Sequence, residues 1–87
     1  MKISEEFVLR EVAGDYVVVP VGSKSISMNA IIHLNEVGAF IFENLQKQDL
    51  TLEELAKKMI EEYAVEYEVA YEDVKEFVAK LQERNIL

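Results

Sequence analysis

The hydropathy pattern of the chain changes period at Leu34. Before that residue, apolar positions come in short β-branched and aromatic runs; after it they recur at spacings of three and four. A chain of 87 residues that opens as strands and continues as helices has few ways to bury both. The expected architecture is α+β: a three-stranded antiparallel sheet followed by three helices, in a single domain over residues 1–87.

Phe7-Val8-Leu9-Arg10-Glu11-Val12 reads as the first strand and Tyr16-Val17-Val18-Val19-Pro20-Val21 as the second. Ala13-Gly14-Asp15 between them is a turn, with Gly14 free to take a positive φ, so the pair forms an antiparallel hairpin. Pro20 cannot donate to a ladder and belongs at a strand end or an edge. Gly22-Ser23-Lys24-Ser25 is a loop, and a third strand falls within Ser27 to Leu34, its paired part being 29–34.

Asn35 suits an N-cap, because its side-chain oxygen accepts from the free amides of a first turn. The spacing predicts a first helix over 36–45 on Val37, Phe40, Ile41 and Leu45, then a polar connector, Gln46-Lys47-Gln48-Asp49. Thr51-Leu52-Glu53-Glu54 fits a capping box, with Leu50 and Leu55 as its hydrophobic staple, and opens a second helix over 51–63. Val74, Phe77, Val78 and Leu81 form an i, i+3, i+4, i+7 set on a third helix over 70–84. No Gly or Pro separates Tyr63 from Asp73, so one long helix pairing with another chain is the alternative. A break between Ala64 and Val69 is preferred. Val65, Tyr67 and Val69 alternate there with glutamates, and a small domain needs its last helix folded back over the core.

The chemistry-bearing residues are sparse. The chain has no cysteine, which removes disulfides, thiolate metal sites and cysteine nucleophiles. His33 is the single histidine, and the many glutamates lie on helix faces without convergent spacing, so no metal or cofactor is expected. Ser23, Ser25 and Ser27 have no recognisable base, and three glycines make no phosphate-binding loop. Met28 and Met59 read as filler of core or edge. The formal net charge of −8 disfavours nucleic acid and acidic membrane surfaces, and favours a neutral or locally basic partner. The first residues lack the apolar core of a signal peptide, and no apolar run spans a bilayer, so a cytoplasmic, non-enzymatic protein is expected.

The helical half is more specific. Leu34-Asn35-Glu36-Val37-Gly38-Ala39-Phe40-Ile41-Phe42-Glu43-Asn44-Leu45 resembles the LN-x-x-(G/A)-A-x-I-(W/F)-x-x-L segment of the PqqD family. Thr51-Leu52-Glu53-Glu54-Leu55-Ala56 resembles that family's T-V-x-E-(I/L)-A. Val69 to Leu81 resembles V-x-x-D-V-x-x-F-(L/V)-x-x-L, and Asn85-Ile86-Leu87 stands where Gly-Leu-Leu is usual. The match rests on order and spacing over nearly the whole chain. Phe42 in place of Trp, Gln46-Lys47-Gln48 in place of an Asp-Gly turn, and Asn85 in place of Gly are its departures.

The resemblance implies a winged-helix-like fold and binding of the leader of a ribosomally synthesised precursor peptide. It also implies docking to a tailoring enzyme, commonly a radical S-adenosylmethionine enzyme. The leader would extend the sheet along strand 3 and pack on helix 3. A free sheet edge carries unpaired N–H and C=O groups that a peptide strand satisfies, and strand 3 lacks proline. Ile31, Ile32 and His33 would then line one side of the peptide, and Val74, Val78 and Leu81 the other. For each apolar member the plain alternative is a place in the core. A winged-helix DNA-binding regulator and a helical oligomerisation module are the competing functions. Against the first, Lys57-Lys58 share their helix with Glu53, Glu54, Glu61 and Glu62.

Overall fold

The computed structural model describes residues 1–24 and 31–87. Strands β1 (Phe7–Val12), β2 (Asp15–Pro20) and β3 (Ile32–Leu34) are followed by helices α1 (Glu36–Lys47), α2 (Leu52–Glu62) and α3 (Tyr67–Glu83). The fold is α+β, with the antiparallel sheet in the order β1-β2-β3. The part of the third strand expected at Asn29 and Ala30 lies outside the described residues, as do Ser25, Ser27 and Met28.

The hairpin closes through Ala13 and Gly14, with Val12 opposite Asp15. Both turn residues have positive φ, 52° and 87°. That is the form of a two-residue turn whose twist matches the strands. The sequence singled out Gly14 alone, yet Ala13 bears the greater steric cost, because its Cβ crowds the backbone in the left-handed region. Ala13→Asn is therefore expected to raise stability by up to about 1 kcal/mol, read as a higher urea midpoint; an unchanged or lower midpoint would count against this account.

Val18 sits at the centre of the sheet, opposite Leu9 on one side and Ile32 on the other, and is buried. Its face of the sheet packs on Phe42, Ile41 and Leu45 of α1, Leu55 and Met59 of α2, and Val74 and Leu81 of α3 in one apolar cluster. Pro20 ends β2, as its missing donor requires.

Local signals set the helix ends. Asn35 accepts the Gly38 N–H at 2.7 Å and starts α1. The Glu54 N–H donates to Thr51 Oγ1 at 3.2 Å and the Thr51 N–H to Glu54 Oε1 at 2.9 Å, so the capping box is complete. Leu50 and Leu55 on either side of it are both buried. α1 runs two residues beyond the predicted 45, to Lys47, so Gln46 belongs to its last turn. The helices break over 63–66, where Tyr63 turns extended (ψ 148°) and places its ring edge-on to Phe40, 5.4 Å between centroids. That aromatic contact, with burial of α3 against α2, outweighs the absence of a helix breaker in the sequence. The long-helix alternative is thus not the structure the chain adopts, although α3 begins three residues earlier than predicted, at Tyr67.

α3 closes on Asn85, whose φ is +60°. The Ile86 N–H reaches Leu81 O at 2.9 Å and the Asn85 N–H reaches Gln82 O at 3.1 Å. This double bond pattern satisfies the last carbonyls of the helix, and buried Ile86 supplies the accompanying apolar contact. Among the described residues, no helix is long and apolar enough to cross a membrane.

Candidate functional site

A three-stranded sheet has two outer edges, and this one treats them differently. The register and the bond from the Val21 N–H to Glu6 O place Val8, Arg10 and Val12 in hydrogen-bonded pairs with β2. The backbone groups of Phe7, Leu9 and Glu11 therefore point outward. At Phe7 both are satisfied: its N–H donates to Ser4 O at 3.4 Å, and Gln46 Nε2 donates to its carbonyl at 2.7 Å. Gln46, in the run expected as a polar connector, thus blunts the β1 edge at Phe7, while the outward groups of Leu9 and Glu11 meet no other described residue; a hollow of about 350 Å³ lies there between the strand and α1.

On the far side, the same parity pairs Tyr16 with Leu34 and Val18 with Ile32 through backbone bonds. His33 lies opposite Val17 in a non-bonded pair, so its N–H and C=O project away from the sheet. No other described residue meets them. Beside this edge runs a cleft of about 330 Å³, with Ile32, His33, Leu34 and Asn35 on one wall. Phe77, Lys80 and Leu81 of α3, with Arg84 at its C-cap, make the other. The shape is that of a slot: an unpaired strand on one side, an apolar helix face at the base, and polar ends on the rim.

Of the residues selected from sequence, Ile32, His33 and Leu81 come together here. Ile31 precedes the strand, is 58% exposed and does not line the cleft. Val74 and Val78, expected on the helix wall, are core residues with 0% and 5% exposure. The rotation of α3 explains the difference. Val74, Val78 and Leu81 form its buried stripe, and Phe77, Lys80 and Arg84 form a neighbouring stripe at i, i+3, i+7 that turns toward β3. That second stripe, one aromatic followed by two cations at helical spacing, is the signal in the sequence that marks the missed residues.

Gly38 supports the cleft from behind. A Cβ built there would lie 2.9 Å from Phe77 Cε1 and 3.2 Å from Asn35 Oδ1. Only a glycine lets the Phe77 ring rest against the first turn of α1. Gly38→Ala is expected to push that ring aside, read as shifted Phe77 and Leu81 side-chain resonances. The overall stability should change by no more than about 1 kcal/mol, because alanine's helix propensity opposes the crowding. An unperturbed Phe77 spectrum would contradict the packing described.

The titratable groups with displaced pKa values lie elsewhere. Burial pushes the Tyr63 hydroxyl up, and the charge of Glu11 raises Tyr16. The Met1 ammonium, 2.5 Å from Asp49, holds that carboxyl below its ordinary range. Among the described residues no group of acidic and histidine side chains converges as a metal site.

An antiparallel three-stranded sheet, three helices packed on one face, and a β3 edge that no other described residue covers beside the last helix define the class of this protein. The family model described as coenzyme PQQ synthesis protein D (PqqD) matches residues 15–87, and the chain belongs to that family. A solved structure described as TbiB1 in complex with the TbiA(beta) leader peptide has the same fold. Its TM-score is 0.76 at 23% identity, with 100% of this chain and 94% of that chain covered. No curated protein gives a significant match.

Proposed function

We propose that the chain is a non-catalytic recognition protein. It captures the leader segment of a ribosomally made precursor peptide as a fourth strand along β3 and presents the precursor to a tailoring enzyme. The observation that carries this reading is the His33 backbone, with both hydrogen-bonding groups directed away from β2 at an edge that borders a cleft with an apolar base. Backbone pairing along an edge gives affinity, and the alternate side chains of the guest enter pockets that give specificity. Membership of the PqqD family supports it, as does a fold shared with a protein solved with a leader peptide. The tailoring enzyme, a radical S-adenosylmethionine enzyme or another modifying enzyme, rests on the family alone.

The test is a backbone amide titration with leader peptides encoded beside the gene. Shifts are expected on Ile32 to Asn35 and on Phe77 to Arg84, with the β1 edge unaffected. A full panel of such leaders that moves none of these amides would defeat the reading.

A further inference from the structure

Resting on that reading, we infer that the guest strand carries a carboxylate side chain, received between Lys80 and Arg84, beside an apolar side chain seated on Phe77 and Leu81. The chain has 17 acidic residues against nine Lys and Arg, so cations are scarce on its surface. Two of them line this one cleft, Lys80 in the last turn of α3 and Arg84 at its C-cap, four residues on. Like charges one turn apart repel each other, and neither has an ion-pair partner among the described residues. Both are exposed on the rim, while Leu81 at its base is 2% exposed. An anion between them relieves the repulsion and is favoured further by the nearby apolar wall, which limits screening by water.

Past the Phe77 ring lies a second hollow, bordered by Asn35 and by Val37 of α1, where Asp73 and Glu76 stand on α3 and Lys80 lines both hollows. The charged residues lining this side thus run from Asp73 and Glu76 before Phe77 to Lys80 and Arg84 after it. A guest carboxylate is repelled from one end and held at the other, so charge sets which way the strand lies as well as where it binds. A nucleic acid would also offer anions, but the net charge of −8 repels a polyanion, whereas an edge strand asks for a peptide backbone.

The experiment is phage selection of random decapeptides on the wild-type protein and on the Lys80→Glu/Arg84→Glu variant, after circular dichroism has verified that the variant is folded. Wild type is expected to enrich Asp or Glu at one position, with an apolar residue two places away on the same strand face. The variant is expected to enrich Lys or Arg there instead. For a selected peptide made synthetically with blocked ends, replacing its acid by the amide should weaken binding roughly tenfold or more, less so in high salt. Selected peptides without an acidic position, or equal affinity of the amide form, would overturn this inference and leave the proposed function standing. A library that yields no binder to wild type would remove both.

Discussion

Replacing His33 with proline is expected to weaken capture of a leader peptide by roughly ten- to a hundredfold while the protein stays folded. The selectivity follows from the ladder. His33 faces Val17 in a pair without backbone bonds, so its N–H contributes nothing to the β2–β3 pairing and everything to the open edge. Proline removes that one donor, and a guest carbonyl that would have met it is left unsatisfied. An edge strand tolerates proline, and the residue before it, Ile32, is already extended. His33→Ala keeps the donor and removes only the side chain, so it separates the backbone bond from any contact the histidine ring makes in the cleft. Calorimetric titration of both variants reads the difference. A folded His33→Pro protein that binds the leader as tightly as wild type would mean the guest does not pair with β3.

Phe42→Ala is expected to cost roughly 3–5 kcal/mol. Phe42 is 0% exposed and has the largest side chain of the fully buried set, so its removal leaves a cavity within the apolar cluster to which all three helices contribute. A domain of this size has about 5–15 kcal/mol in total, and the variant would keep a fraction of that. Urea unfolding should show a much lower midpoint at an unchanged slope. Ile60→Ala, at a position 39% exposed, is the comparison and should shift the midpoint little. A loss under about 1.5 kcal/mol at Phe42 would show that the core collapses around the gap far better than packed cores do.

Features decided within a few residues were legible in the chain. The capping box at Thr51 and the cap at Asn35 each depend on neighbours inside one turn, and both form as the residues suggest. Gln46 misled for the same reason. Its polar run looks like a connector, but a helix end also depends on distant partners, and the bond from its side chain to the Phe7 carbonyl holds the last turn of α1 to the sheet. The break at Tyr63 is legible as a two-residue alternation, but in the structure it coincides with a ring contact to Phe40, 23 positions earlier in the chain, and with the packing of α3 on α2.

The cleft shows the same division. Of its strand wall the chain marks Ile32 and His33, while Ile31, expected beside them, lies outside it; only the pairing register puts the backbone of His33 on the outside. Its helix wall could not be read from the chain. Helical spacing groups Val74, Val78 and Leu81 on one stripe and Phe77, Lys80 and Arg84 on the next, and both are self-consistent faces.

The order of amino acids thus determined the strands, the helices, their caps and the family, because each follows from interactions over a few residues. Only the packed structure decided which stripe of α3 lies over the core and which faces β3. That choice comes from the rotation of one helix against α2 and the sheet, and burial of the larger apolar stripe outweighs every local preference along the helix itself.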